Sequence, residues 1–576
     1  MAMAKSQPSI TRSFDSHDGN VVLTPGGQRV HKDHLAQSGV VQAGFNEVRE
    51  GVWSLVGNGL SNQTFIFAPE GVIAIDTGES EEEMQEALRR LREVTDAPIT
   101  AVIYSHFHYV EGTTAIFKEA NHVSPLPIYG HEKIAYNKSR ASGEIAPAYA
   151  RGLVEQFAVV MPADGPDGLV NVGLGFWYRN PAFSTITPGY IPVTHPVGES
   201  ASLTIAGLKV EMKHSPSDCD DSVNMYFPAL ETCVHNSVWP TVFNVFAIRG
   251  EEYRDPQVLI PGVDHIINWS PSYMVATHGP ALVGKDNIRG KATRYRDSLQ
   301  YMWDQSVRAI NKGWTMDEVS SRISLPALYD EDYLTSERYG VVEHHLRQIF
   351  IGLRGWFDGD ESKLFPVEPE ERYAKLIAGF GGREEVARQA QAALEANDVR
   401  WATELSTWLA RSADATEADR VLLASCLRVI AERTPAANIR NWAITRARHL
   451  DGSMPMDRFM RHTFSSVVLR TTPSDELIAT LRVLIEPTAI EGMNHHIVFH
   501  IDDVVCGLHV RNGVAVPTAG ASPDSTVVMS QKTLHALLKG SVLWSDMVAE
   551  SSVSISGDTT AVEKFRKALE NKGFSS

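Results

Sequence analysis

The sequence predicts an α/β domain, then an all-α domain and a small α+β domain. Short apolar strands alternate with Gly/Pro turns and amphipathic helices over residues 46–312. Helical patterns dominate residues 313–452, and strands return together with helices over residues 453–576. Residues 1–45 form a polar N-terminal extension in this division.

The α/β pattern is clearest in the first half of the first domain. Gly71–Ile75 and Ile99–Ile103 are short, continuous apolar runs, which are typical of buried strands. Between them, Glu81–Val94 carries apolar residues at helical spacing and is predicted as an amphipathic helix. A strand, a helix and a second strand in this order favour a sheet covered by helices.

Longer helical patterns begin near the end of this domain. Arg289–Lys312 is predicted as one long helix, because its apolar residues recur at helical spacing throughout. Short connections between the following patterns predict antiparallel helix pairs. These helices are predicted over Glu384–Asn397, Asp398–Ser412 and Glu417–Glu432.

The C-terminal part combines strands and helices. Asn512-Gly513 lies between two alternating apolar runs, Val504–Arg511 and Gly513–Pro517, which is a strong hairpin signal. A strand over Ile497–Ile501 precedes this hairpin, and the segment over residues 553–558 completes the small α+β domain. The predicted helices are Met456–Arg470, Asp475–Leu484 and Gln531–Lys539.

Composition excludes several classes of partner. The net charge of −17, without a basic run, argues against nucleic acid or an anionic membrane. The N-terminal residues contain no apolar stretch that would suit a signal peptide or a membrane helix. Four scattered cysteines are too few for a disulfide framework, so we expect a cytoplasmic protein.

A His-x-His motif follows the strand Ile99–Ile103. Because side chains alternate along a strand, His106 and His108 point to the same side and can close on one metal ion. The preceding strand ends in Asp76-Thr77-Gly78. We expect Asp76 to orient one of the ligand imidazoles by accepting a hydrogen bond.

Together these motifs resemble the opening of the metallo-β-lactamase superfamily, which implies an αββα sandwich and zinc as the cofactor. The family loop reads HxHxDH, and His106 and His108 match its first two ligands. Either Val110 and Glu111 stand where the Asp and the second-site His of that loop would be, or two residues have been deleted before Val110. The resemblance therefore implies a metal hydrolase with an altered second site, holding one zinc ion or, with recruited ligands, two.

The order of the three domains is also similar to that of the alkylsulfatases. This family joins a metallo-β-lactamase domain to a helical dimerisation domain and a C-terminal domain similar to sterol-carrier proteins. The resemblance thus implies a homodimer. The stretches that carry it are Ala247-Ile248-Arg249-Gly250, Tyr253-Arg254-Asp255, Gly355-Trp356-Phe357-Asp358-Gly359, Ala402-Thr403-Glu404-Leu405 and Val510-Arg511-Asn512-Gly513.

The resemblance implies further metal ligands downstream. Asp218 stands where alkylsulfatases carry a glutamate ligand, and His278, at a strand end, matches the last family ligand. Asn236 stands at the position of a second glutamate and is a poor ligand without charge; His235 is beside it. The implied metal ligands are His106, His108, Asp218 and His278. A two-ion alternative would use Glu111, Asp221, His235 and His278.

Residues around these motifs are candidates for binding and catalysis. Arg249 matches an arginine that contacts sulfate in alkylsulfatases, with a structural pairing to Glu251 or Asp255 as the alternative. Asp221 is either catalytic or a turn residue, and Cys219 is a soft ligand or, as we favour, a small buried residue. The substrate-binding candidates are Arg249, Trp239, Phe243 and Tyr190, and the catalytic candidates are Asp221, Arg249 and His278.

These residues favour a metal-dependent hydrolase. It would cleave a small alkyl sulfate ester, or a related ester or ether, with a metal-activated water. The substrate would be a small molecule with an apolar part. The alternative from another class is a non-catalytic binding or carrier protein that retains the fold around a degenerate metal site.

Overall fold

The structure is a computed structural model that describes residues 13–576 apart from residues 120, 184, 457, 458, 460, 461, 463 and 465. It contains two compact units. The first comprises the described chain up to Asn137 together with Gly152–Pro455, and the second comprises Lys138–Arg151 and the chain from Met456. The predicted α/β and all-α domains thus share the first unit, and the division between them at residue 312 stays a prediction.

The first unit contains a small hairpin and two large mixed sheets. The seven strands β3–β9 and the six strands β10–β15 each follow one another in chain order across their sheet. The strands are β1 Val21–Leu23, β2 Arg29–His31, β3 Gly44–Arg49, β4 Val52–Val56, β5 Gln63–Ala68, β6 Gly71–Ile75, β7 Ile99–Ile103, β8 Ile128–His131, β9 His195–Val197, β10 Ser200–Ile205, β11 Leu208–His214, β12 Val223–Phe227, β13 Thr232–His235, β14 Tyr273–Ala276 and β15 Leu282–Val283.

The five helices that the sequence predicts before residue 450 are present, with ends shifted by a few residues, and the structure adds helices that were not predicted individually. The helix after β6 begins at Glu81, because the Ser80 side chain accepts a hydrogen bond from Glu83 N. The helices are α1 Lys32–Val40, α2 Glu81–Leu91, α3 Thr113–Lys118, α4 Ile134–Ser142, α5 Ala146–Gln156, α6 Pro256–Trp269, α7 Lys285–Asn311, α8 Met316–Arg322, α9 Val342–Arg354, α10 Pro369–Gly379, α11 Arg383–Glu395, α12 Val399–Ala410, α13 Glu417–Arg433 and α14 Ala437–Leu450.

The two large sheets pack face to face around one apolar core. Ile73 and Ile103 of the first sheet meet Met225 and Val275 of the second, and all four are buried. On the outer face of the first sheet, α2 buries Met84 against the strands. α6 and α7 cover the second sheet in the same way. The predicted αββα sandwich is therefore confirmed.

The second unit is built around a five-stranded sheet in the order β18-β17-β16-β19-β20. The hairpin predicted at Asn512-Gly513 is present, and both residues have the positive φ values, 50° and 78°, that a tight two-residue turn requires. Its elements are α15 Ser466–Thr471, α16 Ser474–Thr480, β16 Asn494–Ile501, β17 Val504–Arg511, β18 Val514–Thr518, β19 Ser525–Met529, α17 Gln531–Lys539, α18 Trp544–Ala549, β20 Val553–Gly557, α19 Thr559–Lys567 and α20 Lys572–Ser575.

Two predicted helices of this unit differ from the structure. The prediction over Met456–Arg470 lies partly outside the described residues, which contain only the short helix α15 there. The prediction over Asp475–Leu484 corresponds to α16, which tightens into a 3₁₀ turn over Leu481–Leu484. Among the described residues, none of the helices combines the length and the apolar character needed to cross a membrane.

Candidate metal centre and its surroundings

The candidate site lies where strands of both large sheets end. β7 leads into the His-x-His motif, the loop before β12 carries Asp218, and His278 follows β14. A main-chain hydrogen bond from Val223 N to Ser105 O, at 2.9 Å, joins the loop of the first sheet to the second sheet. Residues far apart in sequence therefore meet at one edge of the sandwich.

One group of side chains in the described part of the chain has the composition of a metal site: His106, His108, Asp218 and Cys219. Their ligand atoms all lie within 4.8 Å of one another. Asp218 Oδ2 is 2.9 Å from His108 Nδ1 and 3.6 Å from His106 Nε2. The Nε2 atoms of both histidines are buried without a hydrogen-bond partner among the described residues. A bound cation would satisfy them, so the group fits a metal ion.

A hydrogen-bonded chain orients His106. Ser105 Oγ donates to Asp76 Oδ2 at 2.7 Å and lies 2.8 Å from His106 Nδ1. These contacts engage His106 Nδ1 and leave Nε2 as the nitrogen that faces the metal group. Asp76 thus acts on the imidazole through Ser105, a residue that sequence reasoning missed.

Burial and charge set opposite protonation states for the two histidines. Burial lowers the pKa of His106 to about 3, so this ring is neutral. Burial alone would also lower the pKa of His108, but Asp218 and Glu251 together raise it to about 9. A proton on His108 therefore occupies the place of a cation, and a metal ion must displace that proton in order to bind.

Asp221 and Cys219 lie on the same loop as Asp218. The Cys219 thiol is 2.7 Å from Asp221 Oδ1, and burial raises its pKa well above the usual value. Asp221 Oδ2 is buried without a hydrogen-bond partner among the described residues, and burial raises the pKa of this carboxyl group to about 6. Cys219 belongs geometrically to the metal group, but its thiol is held in the protonated form.

Asn236 takes a positioning role rather than that of a ligand. Its Nδ2 donates to Asp218 Oδ1 at 2.8 Å, and its Oδ1 accepts from Trp239 Nε1 at 3.1 Å. The amide therefore holds Asp218 in place. His235 is buried, and burial lowers its pKa to about 3, but the ring is outside the group of four ligand atoms.

His278 lies near the metal group but is not part of it. Its Nδ1 is 2.8 Å from Leu60 O, which fixes the ring with Nε2 as the lone-pair nitrogen. Tyr109 contacts both rings edge-on, with centroids 5.4 Å from His278 and 5.0 Å from His106. His278 Nε2 is buried and has no hydrogen-bond partner among the described residues. Its predicted role as a ligand stays a prediction.

Glu251 connects the predicted oxyanion-binding arginine to the metal group. Arg249 Nη2 is 2.5 Å from Glu251 Oε1, which is also 3.6 Å from His108 Nε2. Arg254 binds the second oxygen of the same carboxylate. Burial opposes ionisation, but Arg249 and Arg254 hold the pKa of Glu251 at about 2. The sequence offered Glu251 only as a structural partner of Arg249, and its contact with His108 was missed.

The predicted aromatic wall residues occupy different places. Trp239 and Phe243 pack together with centroids 4.8 Å apart, and both are almost fully buried. The Trp239 ring also contacts His278 edge-on at 5.5 Å. Tyr190 packs against the core of the first sheet, and its backbone N donates to Glu111 Oε2 at 3.2 Å. Glu111, considered for a second ion, therefore holds the Tyr190 segment.

Three family models match parts of the chain. The metallo-beta-lactamase superfamily model covers residues 56–109, which include the His-x-His motif. The alkyl sulfatase dimerisation model covers residues 315–453, and the alkyl sulfatase C-terminal model covers residues 462–574. The matches follow the order of the three predicted domains.

Named relatives extend these matches over most of the chain. It is 24% identical to an (R)-specific secondary-alkylsulfatase from Pseudomonas, over 93% of this chain and 82% of that one. The solved structure of the stereoselective inverting sec-alkylsulfatase from Pseudomonas has a TM-score of 0.82 and 22% identity, covers 96% of this chain and 88% of its own, and shows the fold. A linear primary-alkylsulfatase from Pseudomonas is 31% identical over 83% of this chain and 94% of its own. On that identity and coverage, the chain belongs to the alkylsulfatases, a family of hydrolases with a metallo-β-lactamase domain.

Proposed function

We propose that this protein is a zinc-dependent hydrolase that cleaves the sulfate ester of an alkyl alcohol. The observation that supports this most directly is the buried group of His106, His108 and Asp218, in which the Nε2 atoms of the two histidines have no hydrogen-bond partner within the described part of the chain. Two imidazoles and a carboxylate are a ligand set that zinc accepts, and three protein ligands are typical of catalytic zinc. We propose one ion per chain, with His278 as a further ligand.

The surrounding residues support sulfate-ester chemistry. A bound zinc ion would supply Lewis acidity toward a substrate oxygen or water. Arg249 would hold the sulfate through its planar guanidinium, which also pairs with Glu251. Because Glu251 lies next to His108, the sulfate would then be beside the metal group. Asp221 Oδ2 has no hydrogen-bond partner among the described residues and can accept a proton. Trp239 and Phe243 would form the apolar wall.

The carrier alternative has less support. A protein that only carried a ligand would not need buried ring nitrogens around one carboxylate that find no partner among the residues the structure describes, because such groups cost stability. The relative with 31% identity is named as an alkylsulfatase. We therefore propose catalysis rather than carriage.

The first prediction concerns metal and activity together. We expect the full-length protein, purified with zinc, to contain about one ion per chain and to release sulfate from decyl sulfate. Elemental mass spectrometry measures the metal, and ion chromatography measures the sulfate. His106→Ala is expected to lose both, because a ligand and its ring nitrogen are removed.

Different outcomes separate the parts of this proposal. Two ions per chain would contradict the single-ion site and direct attention to Glu111, Asp221 and His235. Bound zinc without sulfate release would contradict the substrate, and decyl acetate and decyl methyl ether would then test ester and ether cleavage. Binding of decyl sulfate without zinc and without turnover would favour the carrier.

We also propose a homodimer formed through the helical region. An exposed apolar stretch follows α9, where Trp356 is 65% and Phe365 is 89% exposed. Contiguous exposed apolar surface of this kind is typical of protein interfaces. The matching family model describes alkyl sulfatase dimerisation, which supports the same proposal.

The second prediction tests this interface. Phe365→Asp is expected to convert a dimer into a monomer of 63.5 kDa, because the substitution places a charge in an apolar contact. Light scattering after size-exclusion chromatography measures the mass. Leu23→Asp is the matched control, since Leu23 is 71% exposed but lies outside the helical region. Equal masses for both variants would contradict the proposed interface.

We propose the cytoplasm as the location. The four cysteines are all free thiols, and three of them are buried. Unpaired thiols are typical of proteins in a reducing compartment.

A further inference from the structure

A separate cavity lies among the helices of the first unit. Its volume is about 690 Å³, and its walls come from α9, α12, α13, α14 and the segment Phe246–Ile248. None of the four residues of the metal group lines it. Apolar side chains form most of the wall, among them Phe246, Leu423, Leu427, Ile430, Ile439 and Trp442.

Two of the four arginines that line this cavity have carboxylate partners. Arg347 pairs with Asp317 at 2.6 Å, and Arg400 pairs with Glu343 at 2.8 Å. Glu343 is the one carboxylate among the described lining residues, and Ser13 Oγ also donates to it at 2.8 Å. The carboxylate of the cavity wall is therefore already paired with Arg400.

Arg411 and Arg446 differ from the other two arginines. In the part of the chain that the structure describes, neither guanidinium has a hydrogen bond or an ion pair with a carboxylate. Arg446 is half-buried; burial and then the charge of Arg411 lower its pKa, and Glu155 only partly offsets this. Arg411 is exposed, whereas Arg446 is half-buried and has Glu155 as its nearby opposite charge. The two neighbouring guanidiniums therefore give one end of an apolar cavity a net positive charge that an anion would complement.

We propose that this cavity binds a single-chain anionic amphiphile, with its aliphatic chain along the apolar wall and its anionic head at Arg411 and Arg446. The chemistry is shared by alkyl sulfates, alkyl sulfonates and fatty carboxylates. The volume lies within the range of small-molecule sites, about 300–1,000 Å³. This binding site goes beyond the proposed hydrolysis, because it uses none of the residues assigned to the metal centre.

The segment Phe246–Ile248 connects the cavity wall to the loop that carries Arg249 and Glu251. It forms part of the cavity wall and leads directly to Arg249 and Glu251. Phe246 N also donates to His345 Nδ1 on α9 at 3.2 Å. A ligand in the cavity would thus contact the same loop that positions the proposed sulfate-binding arginine.

The test uses decane-1-sulfonate, whose C–S bond resists hydrolysis. It is titrated below its micelle-forming concentration into full-length, zinc-loaded protein, and calorimetry measures the dissociation constant and stoichiometry. We expect saturable binding at a site that His106→Ala retains and that Arg446→Gln and Arg411→Gln each weaken about tenfold, as for loss of a charged hydrogen bond. Arg347→Gln is the matched control, because this arginine lines the same cavity but has Asp317 as its partner.

A second measurement separates this site from the metal centre. Arg446→Gln is expected to leave sulfate release from a short-chain alkyl sulfate unchanged, whereas His106→Ala is expected to leave sulfonate binding at the cavity intact. An inactive wild-type protein that still binds sulfonate in an Arg446-dependent way would overturn the proposed hydrolysis but retain the cavity site. Trp442, in the cavity wall, reports binding by its fluorescence, and Trp442→Phe removes that signal.

Three results would overturn the proposal. The first is absence of saturable binding, or binding that both arginine variants leave unchanged. The second is equal binding of inorganic sulfate, which would indicate a free-oxyanion site. The third is dissociation of a dimer by the arginine variants without any effect on sulfonate binding, which would mean that carboxylates of a second copy meet Arg411 and Arg446.

Discussion

Asp218→Asn is expected to remove most of the bound zinc and to lower kcat/KM for an alkyl sulfate about a thousandfold or more. The substitution keeps the size of the side chain but removes the charge that lies 2.9 Å from His108 Nδ1 and 3.6 Å from His106 Nε2. A neutral amide is a far weaker zinc ligand than a carboxylate. A thousandfold loss corresponds to about 4 kcal/mol of transition-state stabilisation, the scale expected for metal-ion catalysis.

Asp220→Asn is the matched control for this prediction. Asp220 lies two residues further along the same loop, but its carboxylate binds Lys133 and Asn137, each at 2.7 Å. The control therefore removes a carboxylate of the loop while the metal group stays complete. Zinc content by elemental mass spectrometry and initial rates of sulfate release are measured for both variants. Similar losses in both would mean that the loop, rather than the Asp218 carboxylate, is needed.

Asp218 and Asn236 are two departures from the family pattern that fit together in the structure. The resemblance to alkylsulfatases implies a glutamate at each of these two positions. The sequence alone does not relate the change at one position to the change at the other. In the structure, Asn236 Nδ2 donates to Asp218 Oδ1 at 2.8 Å. An ionised glutamate at position 236 could not donate this hydrogen bond. The neutral amide therefore removes a like charge and becomes a support for the remaining carboxylate.

Much of the scaffold could be predicted from periodicity. Gly71–Ile75, Ile99–Ile103, Val504–Arg511 and Gln531–Lys539 have the predicted bounds in the structure. Each is a run whose pattern is set by local burial and ends at turn or capping residues. The His-x-His pair could be placed for the same reason, since strand geometry alone puts its members on one side.

The surroundings of the metal group could not be predicted in this way. Glu251 lies in a loop without periodicity, and its contacts with His108, Arg249 and Arg254 depend on how that loop packs. Ser105 is a small residue whose role appears only when Asp76 and His106 are placed on either side of it. Tertiary packing, which a single sequence does not encode by spacing, determines these contacts.

Glu251→Gln is expected to destabilise the protein by about 3–5 kcal/mol, because it removes the carboxylate that pairs with two buried guanidiniums. The Glu251 side chain is 11% exposed, and those of Arg249 and Arg254 are 7% and 3% exposed. A glutamine could accept from one arginine, but its amide N–H groups would face the other. Urea unfolding of the zinc-free protein at pH 7 measures the difference, with Glu252→Gln as the exposed neighbouring control.

The difference in unfolding free energy between wild type and Glu251→Gln is expected to depend on pH. The two arginines hold the folded-state pKa of Glu251 at about 2, below its ordinary value of 4.5. Stabilisation by Glu251 is therefore fully present above pH 4.5 and is lost as the pH falls toward 2. The gap in unfolding free energy between wild type and Glu251→Gln should accordingly be largest near neutral pH and shrink below pH 4.5. A difference that stays constant down to pH 3 would show that Glu251 acts through packing rather than through its charge. Another carboxylate would then have to hold Arg249 beside the metal group.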